Sequence, residues 1–234
     1  MNIVKFSINQ DVLKIVALVT MTIDHIAKYI FDVSASNVFL GVGRMSFPIF
    51  AFLLMRHLAN KQIYSKYLIR LGGFGGLVVG ISWLFRDVVK IAILFPLNIL
   101  ISFFVVVLFL YVSRLIQRED GAKLMKVLMQ GLNFLCFGVL SLVCDYGLYG
   151  FCFLILLYYY FMNCNKIILF LVFVFSWLIN NGQEFWYIGV LTTFILVFND
   201  YEKNNKRLLK KWWWFYVYYP LHLLIIGLVS YWVN

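Results

Sequence analysis

The chain has 234 residues, of which 64% are hydrophobic and only 13% are charged, and its mean hydropathy is +0.90. A soluble domain is usually about 45 to 50% apolar and about 25% charged, so this composition excludes a soluble enzyme. At roughly 20 residues per crossing, the chain has room for about nine membrane spans joined by short loops. We therefore expect residues 1–234 to form a single integral membrane domain.

The net charge of +10 comes from 20 Lys and Arg residues against 10 Asp and Glu residues. Such an excess is typical of nucleic-acid binders, but in a membrane protein it marks cytoplasmic loops and contact with anionic lipid. We therefore expect the lipid bilayer, and no nucleic acid, as a partner. The four cysteines are spaced 8, 8 and 12 residues apart in apolar segments, which fits neither a metal site nor a disulfide framework.

Nine apolar stretches follow one another along the chain, and the pattern predicts an all-α, multi-pass transmembrane helix bundle. They cover residues 12–31, 38–59, 67–85, 91–113, 124–144, 146–162, 167–180, 185–199 and 212–233. The seventh stretch is the shortest, and merging it with a neighbour would invert the orientation of everything that follows.

The basic residues alternate between successive loops, which predicts the orientation. Sixteen of the 20 Lys and Arg residues lie at the N-terminus or in the second, fourth, sixth and eighth loops. The opposite side holds or adjoins only Lys28, Arg86 and Lys90. Because cytoplasmic loops carry the excess of positive charge, we expect the N-terminus inside and the C-terminus outside.

Three glycines in the third stretch, Gly72, Gly76 and Gly80, are spaced four residues apart. Small residues at this spacing lie on one side of a helix and let a neighbouring helix approach closely. We interpret them as a helix-packing ridge.

Ionisable side chains within the apolar stretches are the first functional candidates, since placing one at membrane depth costs about 2.5 to 3.5 kcal/mol. Asp24 and His25 lie about 18 to 20 Å beyond Val12 along the first helix, at 1.5 Å per residue. Arg44 lies about 9 Å below the outer end of the second helix by the same rise. His25 and Arg44 are therefore expected at similar depth, where they can share one site.

The prolines strengthen these positions. Pro48 cannot donate a backbone hydrogen bond to the carbonyl of Arg44, so the helix is predicted to bend there and to leave that carbonyl free. The other two prolines precede Asn98 and His222 by two residues each.

Each candidate also has a structural explanation. Asp24 and Lys28 are spaced i, i+4 and alternatively form an ion pair near the outer interface. His222 either serves the site or bridges two helices. Asp145, in the short turn CDYGLYG, either caps a helix or contacts an acceptor.

The chemistry that fits these residues is limited. The chain has no metal-ligand spacing, no nucleophile elbow and no P-loop. A histidine can act as a general base or carry an acyl group, and Arg44 can hold a phosphate or carbonyl oxygen. This combination suits acyl transfer within a membrane, but it suits proton-coupled transport of an anionic solute as well.

Six segments together resemble the TraX family, which is named for the membrane protein that N-acetylates F-type conjugative pilin. They read LKIVALVTMTIDHIAKYIF, GVGRMSFPIFAFLL, LIRLGGF, LNIL, DYGLYG and FYVYYPLHLLI, in this order between about residues 12 and 230. The chain also looks like a distant relative of the integral membrane acyltransferases, which use acetyl-CoA.

The resemblance implies an acetyl-CoA-dependent acetyltransferase of the bacterial plasma (inner) membrane. The implied acceptor is a peptide, such as the N-terminal amine of a pilin, or a glycan hydroxyl. His25 takes the catalytic position with Asp24 beside it, and Arg44 is the cation that binds the donor. Three further positions are implied substrate or donor contacts: Asn98, Asp145 and His222. No metal is implied, a homodimer is one option for the oligomeric state, and a transporter or flippase is the alternative function.

Overall fold

A computed structural model describes residues 9–31, 38–61, 64–84, 98–181, 184–198 and 214–233. Within these ranges 89% of the residues are helical and none forms a strand. The all-α prediction is confirmed for this part of the chain.

Ten helices follow one another in the described ranges. They are α1 (Gln10–Tyr29), α2 (Val38–Gly43), α3 (Ser46–Lys61), α4 (Tyr64–Leu84), α5 (Ile99–Arg118), α6 (Lys123–Ser141), α7 (Gly147–Asn163), α8 (Lys166–Asn180), α9 (Trp186–Phe198) and α10 (Trp214–Val233). Each of the nine apolar stretches corresponds to one helix, except that the second is divided between α2 and α3. The short seventh stretch forms the separate helix α8.

Asparagine side chains begin three of these helices. The side-chain oxygens of Asn9, Asn98 and Asn165 each accept a hydrogen bond from the backbone N–H two residues later. Asparagine is among the strongest N-cap residues because this bond satisfies a donor that has no partner within the helix. The starts of α1, α5 and α8 are therefore encoded locally.

The division between α2 and α3 falls at Arg44 and Met45. Their N–H groups bond to the carbonyls of Gly41 and Val42, each at 3.1 Å, which is the tight i to i−3 pattern of a turn. Pro48 lies in the first turn of α3. The predicted bend at Arg44 is confirmed, because the proline ring has no N–H to donate to that carbonyl.

Helix α3 lies at the centre of the molecule. Ile49, Phe52, Met55 and Leu58 recur every three residues along it and are at most 2% exposed. The helix packs against α1, α7 and α9. The backbone around Arg44 is thus held at one end of the most buried helix.

Four of the described helical segments are long and apolar enough to cross a membrane: Val38–Lys61, Ile99–Arg118, Lys123–Ser141 and Trp214–Trp232. Three apolar helices are shorter, namely α7, α8 and α9. The protein is therefore a helical membrane protein. The count of nine spans and the cytoplasmic N-terminus stay predictions.

The small-residue contact between α4 and α5 differs from the expected one. A Cβ added at Gly75 would lie 2.6 Å from Cδ1 of Ile101, and one added at Gly72 would lie 3.0 Å from Phe104. Among the residues that the structure describes, nothing lies within 4 Å of such an atom at Gly76 or Gly80. The predicted ridge was wrong beyond Gly72, because α4 is rotated so that positions 72 and 75 face α5.

Candidate functional site

His25 on α1 and His222 on α10 are hydrogen-bonded across the helix interface. Nδ1 of His25 lies 2.8 Å from Nε2 of His222, although the residues are 197 positions apart. The ring planes differ by only 9°. Since 2.8 Å is shorter than the roughly 3.5 Å contact of stacked ring atoms, the two rings meet edge to edge. His222 is only 5% exposed, so this bond is shielded by the surrounding helices.

A second polar contact joins the same two helices one turn away. The Tyr218 hydroxyl lies 2.6 Å from Oγ1 of Thr22. The Thr22 hydroxyl donates to the carbonyl of Leu18 at 2.8 Å, so the Tyr218 hydroxyl donates to Thr22. Nδ1 of His222 lies 3.0 Å from the carbonyl oxygen of Tyr218. His222 therefore bridges α1 and α10 within a short polar network.

Asp24 pairs with Lys28 rather than with its neighbour His25. Nζ of Lys28 lies 2.6 Å from Oδ2 of Asp24. Both Asp24 and His25 are in the described part of the chain, and no hydrogen bond joins them there. Adjacent helical residues point about 100° apart, which is why the two side chains diverge. The i, i+4 ion pair that the sequence suggested is thus formed.

Arg44 follows Gly43, the residue that contacts this ion pair. The Asp24 side chain lies against Gly43, where an added Cβ would be 2.6 Å from Oδ1 of Asp24. Arg44 itself is half-buried in the turn between α2 and α3. The packing of α1 on α2 thus places Arg44 one residue beyond the contact with Asp24.

Tyr146 links this region to the turn before α7. Its ring stacks on Phe47 of α3, with centroids 4.0 Å apart and planes 24° apart. Burial raises the pKa of the Tyr146 phenol; the charges of Asp145 and Asp24 add to this rise, and the charge of Arg44 opposes it. Tyr146 has a φ of 64°, a left-handed conformation that forces the chain to reverse direction here.

Asp145 lies in the same turn, outside the helices. The hydroxyl of Ser102 donates to its backbone carbonyl at 3.1 Å and ties the turn to α5. Burial raises the pKa of the Asp145 carboxyl to about 7, and the positive charge of Lys28 opposes this rise. A small cavity beside the turn is lined by Asp145, Ser141 and Gly147, among others. The charge of Lys28, which is paired with Asp24, therefore also acts on Asp145.

Asn98 is engaged in a structural role. Its side-chain oxygen accepts from the N–H groups of Leu100 and Ile101 at 3.1 and 3.3 Å, and its amide donates to the carbonyl of Gly75 at 3.1 Å. One side chain thus caps α5 and ties it to α4. A substrate contact at Asn98 stays a prediction.

The structure brings the predicted residues together in two groups. His25 and His222 form one. In the other, Lys28 pairs with Asp24 and its charge acts on Asp145, while Arg44 follows Gly43, which contacts Asp24. Sequence reasoning missed Thr22 and Tyr218, although each lies about one turn from a candidate histidine, a spacing that puts side chains on one face of a helix.

Some predicted features lie outside the described residues. These are Lys5, Arg86, Lys90, Pro96 and the basic residues between 203 and 211.

The comparison with known families covers nearly the whole chain. The family model described as TraX protein matches residues 9–230. No curated protein and no solved structure matches the chain. The match includes both histidines of the α1–α10 bridge as well as Asp24, Arg44, Asn98 and Asp145. The chain therefore belongs to the TraX family.

Proposed function

We propose that the protein is a membrane-embedded acetyltransferase, which moves acetyl from acetyl-CoA to an amine or hydroxyl of a peptide or glycan acceptor. The observation that carries this proposal is the hydrogen-bonded pair of His25 and His222. An imidazole whose second nitrogen is engaged by a buried partner is oriented to act as a general base. Membership in the TraX family supports a role in modifying a conjugative pilin or a similar peptide.

The transfer needs one base and one cation. The nitrogen or oxygen of the acceptor bonds to the thioester carbonyl carbon. At the same time, His25 accepts the proton that this amine or hydroxyl loses. The carbon–sulfur bond then breaks, and the proton on His25 passes to the departing thiolate of CoA. The products are the acetylated acceptor and free CoA, and His25 returns to its neutral form.

Arg44 is the proposed donor-binding residue. Its planar guanidinium can hold a phosphate or the thioester oxygen through paired hydrogen bonds. Negative charge develops on that oxygen during attack, and a cation in a site of low dielectric stabilises it. The position of Arg44 in a turn, next to the contact between Gly43 and Asp24, supports this role.

Asp145 is the proposed contact for the acceptor. We assign Asp145 to the acceptor, since a carboxyl beside Lys28 and a small cavity suits a polar group entering from the loop side. The excess of Lys and Arg on the side predicted to be cytoplasmic is expected to attract the polyanionic donor. In this proposal the donor enters from the cytosol, and the acceptor lies in the outer half of the bacterial plasma membrane.

Donor binding is tested by the thermal stability of purified protein in detergent, with and without acetyl-CoA. A ligand at 100 times its dissociation constant adds about 2.7 kcal/mol. We expect the wild type to be stabilised, Arg44→Ala and Arg44→Lys to lose the response, and Glu184→Gln to keep it. Glu184 is a suitable control because it is exposed just before α9 and is not one of the basic residues expected to attract the donor.

Chemistry is tested by release of the free CoA thiol in the presence of peptides with a free N-terminal amine. We expect His25→Ala to keep the stabilisation by acetyl-CoA and to lose thiol release. A fully active His25→Ala protein would overturn the assignment of the base. If millimolar acetyl-CoA neither binds nor reacts, and a pH gradient drives solute flux in proteoliposomes, the protein is a transporter instead.

A further inference from the structure

We infer that His222 is a positioning residue, which sets the tautomer of His25 so that Nε2 of His25 carries the free lone pair. The inference rests on the proposed function and names the atom that receives the proton. It changes the role of His222 from a substrate contact to a residue that acts through His25.

The first step concerns the protons of His222. Its Nδ1 lies 3.0 Å from the carbonyl oxygen of Tyr218, and a carbonyl oxygen only accepts hydrogen bonds. Nδ1 of His222 must therefore carry the hydrogen. A neutral imidazole has a single N–H, so Nε2 of His222 is left as an acceptor.

The second step passes this constraint to His25. Nδ1 of His25 lies 2.8 Å from Nε2 of His222, at hydrogen-bond distance. Because that nitrogen of His222 only accepts, Nδ1 of His25 must donate. The single hydrogen of a neutral His25 is then used, and its Nε2 is unprotonated.

This arrangement also supports the protonated state that forms during the reaction. When Nε2 of His25 takes a proton, Nδ1 keeps its hydrogen and donates to His222 as a charge-assisted bond. Neither ring has to rotate or exchange a proton first. Catalytic and metal-binding histidines are commonly oriented in this way. A hydrogen-bond partner on one ring nitrogen fixes which of the two nitrogens has the free lone pair.

The surrounding contacts hold both rings in place. The bond between Tyr218 and Thr22 fixes α10 against α1 one turn away. The ring of Tyr219 meets the ring of His222 at 60°, with centroids 5.4 Å apart. His222 is thus held from its own helix as well as from α1.

The test uses ¹⁵N-labelled histidine in the full-length protein, because nitrogen chemical shifts distinguish a protonated ring nitrogen from an unprotonated one. The chain has three histidines, and His57→Gln assigns the third signal. We expect wild-type His25 to show a protonated Nδ1 and an unprotonated Nε2. A wild-type His25 that carries its hydrogen on Nε2 would overturn the inference.

Two substitutions of His222 distinguish its hydrogen-bond acceptor from the space that its ring fills. His222→Gln keeps an amide oxygen near the former Nε2 and should preserve both the tautomer and most of the transfer rate. His222→Phe keeps a ring without an acceptor, so His25 should show mixed tautomers and kcat should fall about 10- to 100-fold. The KM for acetyl-CoA should stay unchanged, since His222 does not touch the donor in this role.

Thr22→Val is the matched control. It removes the other polar contact between α1 and α10 and leaves both imidazoles intact. We expect it to keep the His25 tautomer and to lower the transfer rate less than His222→Phe does, because the Tyr218 carbonyl and the Tyr219 ring still hold His222. A Thr22→Val protein as inactive as His222→Phe, with an unchanged tautomer, would show that His222 only ties the helices together.

The spectra are independent of the proposed function. A protein that shows the expected tautomer in the wild type and its loss in His222→Phe, but transfers no acetyl group, contradicts the acetyltransferase and not the positioning. If His222→Phe transfers acetyl at the full rate, the positioning role of His222 is contradicted and the acetyltransferase proposal is not.

Discussion

Asp24 and Gly43 touch where α1 crosses α2, and the contact leaves room for only a hydrogen on the Cα of residue 43. An added Cβ would lie 2.6 Å from Oδ1 of Asp24. This close approach sets the position of Arg44, the next residue, relative to the ion pair of Asp24 and Lys28. The geometry of the proposed donor site thus depends on a glycine that carries no chemistry itself.

Gly43→Ala is expected to destabilise the protein and to abolish its response to acetyl-CoA. Overpacking of this kind costs about 1 to 3 kcal/mol, and here the atom in the way belongs to a charged side chain near its backbone. The thermal midpoint with and without acetyl-CoA measures both effects. Gly76→Ala is the control, because no atom of the described part of the chain lies within 4 Å of the added methyl group. Equal midpoints for the two variants would contradict the prediction.

Asn98 has two structural roles, the cap of α5 and the tie to α4, which two substitutions remove in turn. Asn98→Asp keeps the acceptor that caps α5 and loses the donor to the Gly75 carbonyl, whereas Asn98→Ala loses both. Loss of the cap alone costs about 0.5 to 2 kcal/mol, so the midpoints should fall in the order wild type, Asp, Ala. We expect unchanged KM values for donor and acceptor per folded molecule. An increased KM in Asn98→Asp would instead support the substrate contact implied by the family resemblance.

The stability of the protein should depend on the ionisation of Asp145. The pKa of this carboxyl is about 7 in the folded protein, against 3.8 for an ordinary Asp. Between these two pH values the folded state therefore holds a proton that the unfolded state has lost. The free energy of unfolding therefore falls as the pH rises from about 4 to about 7, and this contribution is constant above that range.

Asp145→Asn should remove this dependence, because the amide stays neutral at every pH. The variant is expected to be more stable than the wild type above pH 7. Thermal midpoints in detergent from pH 4 to 8.5 measure the slope, and Asp120→Asn, at an exposed position after α5, serves as the control. Parallel curves for Asp145→Asn and the wild type would be inconsistent with a buried, protonated carboxyl.

The predicted orientation has its sharpest test at α8. This helix has 15 residues and is about 22 Å long at 1.5 Å per residue, shorter than a hydrocarbon core of about 30 Å. If α8 nevertheless spans the membrane, the exposed Cys164 before it faces the cytosol and residue 181 after it faces the outside.

Labelling of intact cells with a membrane-impermeant maleimide shows on which side of the membrane each of these positions lies. In a background without the other cysteines, Asn181→Cys should react at once and Cys164 only after permeabilisation. Reaction of both positions on the same side would show that α8 does not cross, and the assignment of every later loop would then reverse.

Much of the fold was predictable because it depends on neighbours within a few residues. The apolar stretches coincide with the helices, Pro48 divides the second of them at Arg44, and Lys28 pairs with Asp24 one turn away. Backbone hydrogen bonding, capping and i, i+4 contacts all act over this range.

The sequence by itself thus determined a helical membrane protein of the TraX family with ionisable groups at His25 and Arg44. Only the tertiary structure decided that His25 bonds to His222 rather than to Asp24, and that Gly75 rather than Gly76 faces α5. The physical reason is rotation about the helix axis. Each residue turns the helix by about 100°, so which side chain faces a partner from distant sequence depends on how whole helices pack.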